Sequence, residues 1–193
     1  MRKRTLSPLV LACALVAGCA SLPAQRPPAA AEAAPETPEG RLAAALPAAD
    51  VAAASGDRPG LTRALADIEA LGGRPDDAAG ELQLAAWQAR TGAASIPLRG
   101  RTLGRGYRSG TITPGSNMVI AQTFLSGQKA SIAVSAVDGK ALGLSVLDGK
   151  DKPVCREQSQ RASCSWVPLF TQRHTIQVRN PGRREVRYYL VID

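Results

Sequence analysis

The C-terminal half of this chain alternates, and that alternation restricts the folds open to it. Ala130, Ile132, Val134 and Ala136 share one face of an extended segment over 129–137, with Ser131, Ala133 and Ser135 on the other. Asp138-Gly139 is a turn signal. Leu142, Leu144 and Val146 then form a second inward face, and Asp148-Gly149 turns again. Short strands follow on either side of the polar stretch Glu157-Gln158-Ser159-Gln160. His174, Ile176 and Val178 alternate, Asn180-Pro181-Gly182 turns, and 186–192 closes the series. Seven or eight short strands at even spacing predict an antiparallel sandwich or barrel. Aromatic residues make up only 4% of the chain, so its core is expected to be mostly aliphatic.

The first half has a different texture. Residues 20–60 are rich in Ala, Pro and Glu, with almost no large apolar side chains. Such a segment cannot bury enough surface to offset its ordering entropy, so it reads as a disordered, semi-rigid tether. Residues 41–54 are expected to be helical only transiently, on alanine propensity. Leu61, Leu65, Ile68 and Leu71 recur at helical spacing, Gly72-Gly73 stops that helix, and Pro75 opens another containing Leu82, Leu84 and Trp87. The expected architecture is mainly β: an antiparallel β-sandwich over 96–193, preceded by a short α-helical hairpin over 61–95 and a tether over 19–60.

The N-terminus carries an address. Met1-Arg2-Lys3-Arg4 precedes an apolar run from Leu6 to Val16, then the small residues Ala17-Gly18 and Cys19. A cationic start, a short apolar stretch and small residues before a cut make an export signal. The run is shorter than the roughly 20 apolar residues of a membrane span. Val16-Ala17-Gly18-Cys19 resembles the lipobox of bacterial lipoproteins. The resemblance implies removal of residues 1–18, a diacylglycerol on the Cys19 thiol and a further acyl chain, such as palmitate, on its amine. Several acyl chains on one residue anchor stably, at roughly 0.8 kcal/mol per buried CH₂. Ala20 and Ser21 follow the cysteine. By resemblance to Gram-negative lipoproteins, this implies outer-membrane sorting, and a periplasm-facing domain is expected.

Charge and cysteines fit that compartment. The chain has 24 Lys and Arg against 16 Asp and Glu, a net of +8. Residues 20–95 hold 6 basic and 10 acidic side chains, whereas 96–193 hold 15 basic and 6 acidic. The basic half suits anionic lipid, lipopolysaccharide or another acidic polymer, or is simply an Arg-rich solvated surface. Nucleic acid is not an expected partner of an exported lipoprotein. Cys155 and Cys164 remain as an even pair in an oxidising compartment. They flank a polar turn, which predicts a disulfide stapling neighbouring antiparallel strands. Zinc needs more ligands than these and His174, the only histidine, supply, so no metal or cofactor is expected.

The last ninety or so residues resemble the bacterial pre-peptidase C-terminal domain, a β-sandwich appended to secreted proteins. The resemblance rests on an ordered series: Phe124-Leu125-Ser126-Gly127-Gln128-Lys129-Ala130-Ser131-Ile132, Leu142-Gly143-Leu144-Ser145-Val146-Leu147-Asp148, Cys164-Ser165-Trp166-Val167-Pro168, His174-Thr175-Ile176-Gln177-Val178-Arg179-Asn180 and Tyr188-Tyr189-Leu190-Val191-Ile192. Where that family often has acidic residues near its central strand, this chain has Lys140-Ala141-Leu142. Asp138, Asp148 and Asp151 therefore read as turn residues before calcium ligands. The family's domain normally accompanies a peptidase, and this chain has neither His-Glu-x-x-His nor Gly-x-Ser-x-Gly.

Catalysis is not expected. His174 falls inside an alternating strand, where it reads as a core residue and not as a general base. Two non-catalytic classes stay open. One is an interaction or structural module for an envelope protein. The other is a carbohydrate-binding module for envelope glycans, which needs an exposed aromatic platform. Tyr188 and Tyr189 must point to opposite faces of one strand, so one is a candidate for exposure. Arg183, Arg184 and Arg187 stand close by as candidates to bind an acidic protein or anionic sugar.

Overall fold

The computed structural model describes residues 37–92 and 104–193. The leader, Cys19 and the expected tether up to residue 36 lie outside the described residues, as does 93–103.

Residues 38–55, read from composition as part of the tether, form the helix α1 (Pro38–Ser55). Its start is set by local chemistry. The Thr37 hydroxyl accepts a hydrogen bond from the Gly40 N–H at 3.1 Å, and Pro38 sits in the first turn, where its missing N–H costs nothing. Gly56 closes the helix in the left-handed region, at φ 74°. Leu42 and Leu46, one turn apart, are fully buried. Each contributes about 1.5–3 kcal/mol by leaving water. Apart from Glu39 and Pro47, the rest of the buried face is alanine, which lets the helix axis lie close to its partner.

Asp57 and Asp77 cap the next two helices, accepting from the N–H groups of Gly60 and Gly80 at 2.9 and 2.7 Å. These are α2 (Arg58–Ala70) and α3 (Ala78–Thr91). The link between them is more than the turn its Gly-Gly-Arg-Pro sequence predicts. It forms β1 (Gly73–Pro75), which pairs in parallel with β2 (Arg105–Ile112). The expected two-helix hairpin is thus part of a three-helix layer wedged on a sheet strand. Among the described residues, no helix is long and apolar enough to cross a membrane.

The remaining strands are β3 (Asn117–Phe124), β4 (Ala130–Ala136), β5 (Leu142–Leu147), β6 (Pro153–Ser159), β7 (Arg161–Trp166), β8 (Gln172–Arg179) and β9 (Val186–Ile192). They form two sheets, ordered β1-β2-β9-β4-β7 and β3-β8-β5-β6. Every pairing except β1 with β2 is antiparallel. The expected antiparallel sandwich is what the chain builds.

Two cores result. Between the sheets lie Ile112, Phe124, Ile132, Val134, Leu142, Leu144, Val146, Ile176, Val178 and Leu190. On the outer face of the first sheet, Tyr107, Ala133, Tyr189 and Val191 pack against Leu42, Leu46, Leu61, Ile68 and Trp87 of the helices. Hence β4 is buried on both faces.

The cysteine pair forms its disulfide, with Cα atoms 6.0 Å apart. The bridge is not within one sheet, however. Cys155 lies on β6 of the second sheet and Cys164 on β7 of the first. The chain turns between sheets in one residue, and Glu157 braces the turn by accepting from the Ser163 N–H at 2.8 Å and the Ser159 hydroxyl at 3.0 Å. The staple therefore closes one side of the sandwich.

Candidate functional site

The Tyr and Arg residues singled out from the sequence do not make an exposed platform. Tyr188 points into the sandwich core and Tyr189 into the helix-covered core, and both are buried. The strand parity is as expected, but the face that would reach solvent is roofed by helices. Tyr189 accepts a hydrogen bond from the Gln83 amide at 2.7 Å. Burial, chiefly, and nearby Asp50 push its hydroxyl well above the usual phenol range. Arg187 is exposed but engaged: it pairs with Asp50 of α1 at 3.3 Å and lies 5.9 Å from the Tyr189 ring centroid. Arg183 and Arg184 are exposed, on the loop that Asn180 ties down through the Arg184 carbonyl. The candidate group is thus split: Arg183 and Arg184 lie on the surface loop, Tyr188 is in the core between the sheets, and Arg187 and Tyr189 hold the helix layer to β9.

The turn reading of the aspartates holds. Asp138 accepts from the Lys140 N–H, and Asp148 from the N–H groups of Lys150 and Lys152 at 2.8 and 2.9 Å. Those backbone bonds hold the Asp148 carboxyl below its ordinary range. Among the described residues, no group of three or more His, Cys, Asp or Glu side chains is placed to hold a metal.

His174 is a core residue. It is buried, and its ring centroid lies 5.4 Å from that of Phe124 and 5.3 Å from that of Trp166. This aromatic trio plugs one end of the interior, and directly above it the surface changes character.

Three loops converge at that end: 125–129 between β3 and β4, 148–152 between β5 and β6, and 167–171 between β7 and β8. The register brings them together, since Phe124 pairs with Gln172, Ala130 with Trp166 and Leu147 with Thr175. The first and third loops are bonded to each other. The Gly127 N–H donates to the Pro168 carbonyl at 2.9 Å, the Ser126 N–H to the Thr171 hydroxyl at 3.0 Å, and the Ser126 hydroxyl to the Leu169 carbonyl at 2.7 Å. This braced pair of loops exposes Leu125, Val167, Leu169 and Phe170, with Leu169 81% and Phe170 70% accessible. Loops are ordinarily polar, so a fixed apolar tip is the most unusual feature of this surface. The sequence carried one sign of it: Val167, Leu169 and Phe170 form an apolar run where turn residues would be expected.

The helix layer begins at the same end. Arg105 lies between Glu39 of α1 at 3.4 Å and Asp193, after β9, at 3.2 Å. At the opposite end of β9, Arg187 holds Asp50. Helix α1 therefore runs antiparallel to β9, and Thr37 lies at the same end of the sandwich as the three loops.

No protein-family model matches the chain, and no curated protein sequence does. Solved structures similar to it include the pre-peptidase C-terminal domain of a collagenase from Bacillus anthracis, at 13% identity and TM-score 0.41, over 45% of this chain and 87% of that one. Another is the Yersinia pseudotuberculosis-derived mitogen, at 14% identity and TM-score 0.40, over 46% and 84%. A third is Aeromonas hydrophila PliG, a periplasmic inhibitor of g-type lysozyme, at 12% identity and TM-score 0.37, over 46% and 84%. Similarity at this level says nothing about activity or partner.

Proposed function

We propose that this chain is a lipid-anchored protein of the bacterial envelope whose sandwich is a non-catalytic interaction module. The anchor is Cys19, and outer-membrane sorting follows from the Ala20-Ser21 that succeeds it. The observation that carries the interaction reading is the braced loop end with Leu169 and Phe170 in solvent. A fold that spends loop-to-loop hydrogen bonds on fixing exposed apolar side chains is organised for contact. The core between the sheets is filled with aliphatic side chains and closed at one end by Phe124, Trp166 and His174. The polar residues buried there serve the fold, as Asn180 does by donating to the Ile112 carbonyl at 2.9 Å.

The anchor is tested by growing cells with a clickable palmitate analogue and fractionating the wild type and Cys19→Ser. Label on the wild type alone, with the variant leaving the membrane fraction or remaining unprocessed, is the expected result. Equal retention of both forms, fully processed, overturns it.

A further inference from the structure

We infer that the loop end of the sandwich is a bilayer-docking face, in which Leu169 and Phe170 enter the interface of an anionic phospholipid membrane and surrounding lysines and an arginine engage its headgroups. The inference rests on the anchored reading for its setting and names the partner of the same surface.

The chemistry comes from the arrangement of charge. Lys129 follows the first apolar loop, Lys150 and Lys152 lie on the middle loop, and Arg173 begins β8 just beyond the third. All four are exposed. The loops are adjacent: a Cβ on Gly149 would stand 3.2 Å from the Gln172 Oε1 and 3.4 Å from the Arg173 carbonyl oxygen. Besides Asp193, four acidic residues share this end: Asp148 and Asp151 on the middle loop, Glu39, which Arg105 holds, and Asp76, which pairs with Arg108. Asp148 turns its carboxylate onto backbone N–H groups, and Asp151 holds the tight turn at φ 60°. Asp193 is occupied by Arg105. The three loops with Arg173 thus carry four cationic side chains against Asp148 and Asp151, a cationic excess around an apolar centre.

That combination selects a lipid surface over other partners. Apolar side chains that project from a tip, ringed by Lys and Arg, satisfy the two demands of interfacial binding: burial at the headgroup–acyl boundary and attraction to negative headgroups. A peptide partner would be better served by a groove or a free strand edge. A glycan would be better served by a ring set in a concave surface, whereas Phe170 projects from a tip at 70% exposure. Because hydrogen bonds already fix the loops, docking orders little new structure.

The placement of Thr37 supplies the second argument. The chain reaches α1 at this end of the sandwich, beside Arg105 and Asp193. A segment of residues 20–36 spans at most about 60 Å fully extended. An acylated Cys19 thus keeps the apolar tip within reach of the bilayer. A weak interfacial contact then acts at high effective concentration, which sets the domain's orientation.

The experiment removes the anchor so that the tip acts alone. The chain from Ala20 onward retains the compact unit 35–193. It is floated with vesicles of phosphatidylglycerol and phosphatidylcholine, and with phosphatidylcholine alone. Flotation on anionic vesicles at low salt is expected, falling with added salt and on neutral vesicles. The double variant Leu169→Ser/Phe170→Ser is expected to lose about tenfold or more in partitioning. Both positions are exposed, and an unchanged melting curve establishes that the variant is folded. Lys150→Glu/Lys152→Glu weakens binding to anionic vesicles only. Absence of flotation on anionic vesicles, equal flotation of the Leu169/Phe170 variant, or capture by lipopolysaccharide or peptidoglycan without phospholipid binding overturns the inference. Palmitate labelling of Cys19 reads acylation alone, so failure here leaves the anchor reading standing and failure there leaves this one standing.

Discussion

The Gln83 amide of α3 donates to the Tyr189 hydroxyl of β9 at 2.7 Å, a polar fastening in an otherwise apolar layer between the helices and the first sheet. One strand away, the Tyr107 hydroxyl is equally buried and has no hydrogen-bond partner among the described residues. The two phenols should therefore respond differently to losing their oxygen. Tyr189→Phe leaves Gln83 without its acceptor and is expected to cost about 1–2 kcal/mol, whereas Tyr107→Phe removes an unsatisfied group and is expected to be neutral or stabilising. Urea denaturation of both variants checks this, and equal losses would refute it.

The Cys155–Cys164 bridge joins the sheets across one side of the sandwich. It closes a short loop, worth about 2–3 kcal/mol on the chain-entropy model. Replacing both cysteines by alanine should lower stability by that amount while leaving the far-UV circular dichroism unchanged. A loss of strand signal would mean that the bridge is needed for folding and not only for stability.

Glu39 and Asp193 share Arg105 and titrate in opposite senses. Burial raises the Glu39 carboxyl, but bonds from its own backbone N–H, Thr37 and Asp193, with the Arg105 charge, bring it below its ordinary 4.5. Burial first, then the bond with Glu39, raises Asp193 above 3.8. Glu39 therefore contributes stability that is present above 4.5 and lost as pH falls towards its folded value. For Asp193, stability is lost as pH rises from 3.8 through its folded value. Glu39→Gln should flatten the acid side of the melting-temperature profile, and Asp193→Asn the side above 3.8. Profiles parallel to the wild type would exclude this linkage.

Gly73 is required by the approach of the helices to β1. A Cβ there would lie 2.7 Å from Leu42 Cδ1, 3.0 Å from Ile68 Cγ2 and 3.2 Å from the Ile68 carbonyl oxygen. Gly73→Ala should cost about 1–3 kcal/mol through overpacking. Gly106→Ala on neighbouring β2, where the nearest atoms stand 3.9 Å away, should be tolerated or slightly stabilising. Thermal melts compare them directly.

The strands were legible in the sequence because each buries one regular face. The inward series Leu142-Leu144-Val146 and His174-Ile176-Val178 falls where alternation puts it, and the aspartate turns follow. Helix α1 was not legible as a packed element, because alanine hides amphipathic contrast and only Leu42 and Leu46 mark the buried stripe. Its cap, Thr37-Pro38, was the available signal. Missing that layer had a consequence at the site: with the outer face of the first sheet assumed open, Tyr189 looked like a candidate for the surface and the pairing of Arg187 with α1 went unforeseen. The disulfide pairing follows from counting cysteines, but its span between sheets depends on a turn that alternation does not reveal. The apolar loop 167–171 escaped for a related reason. Periodicity reports on strands and is silent about a loop whose hydrophobic residues face outward.

Helix α1 lies antiparallel to β9, with Thr37 at one end of the seam and Asp50 at the other. Traction exerted through the preceding segment would act along the helix axis. Leu42, Leu46 and the Arg187–Asp50 clasp would resist it together in shear, whereas a sideways force would peel them one by one. A domain gripped at Thr37 is mechanically toughest against a pull along the axis of α1.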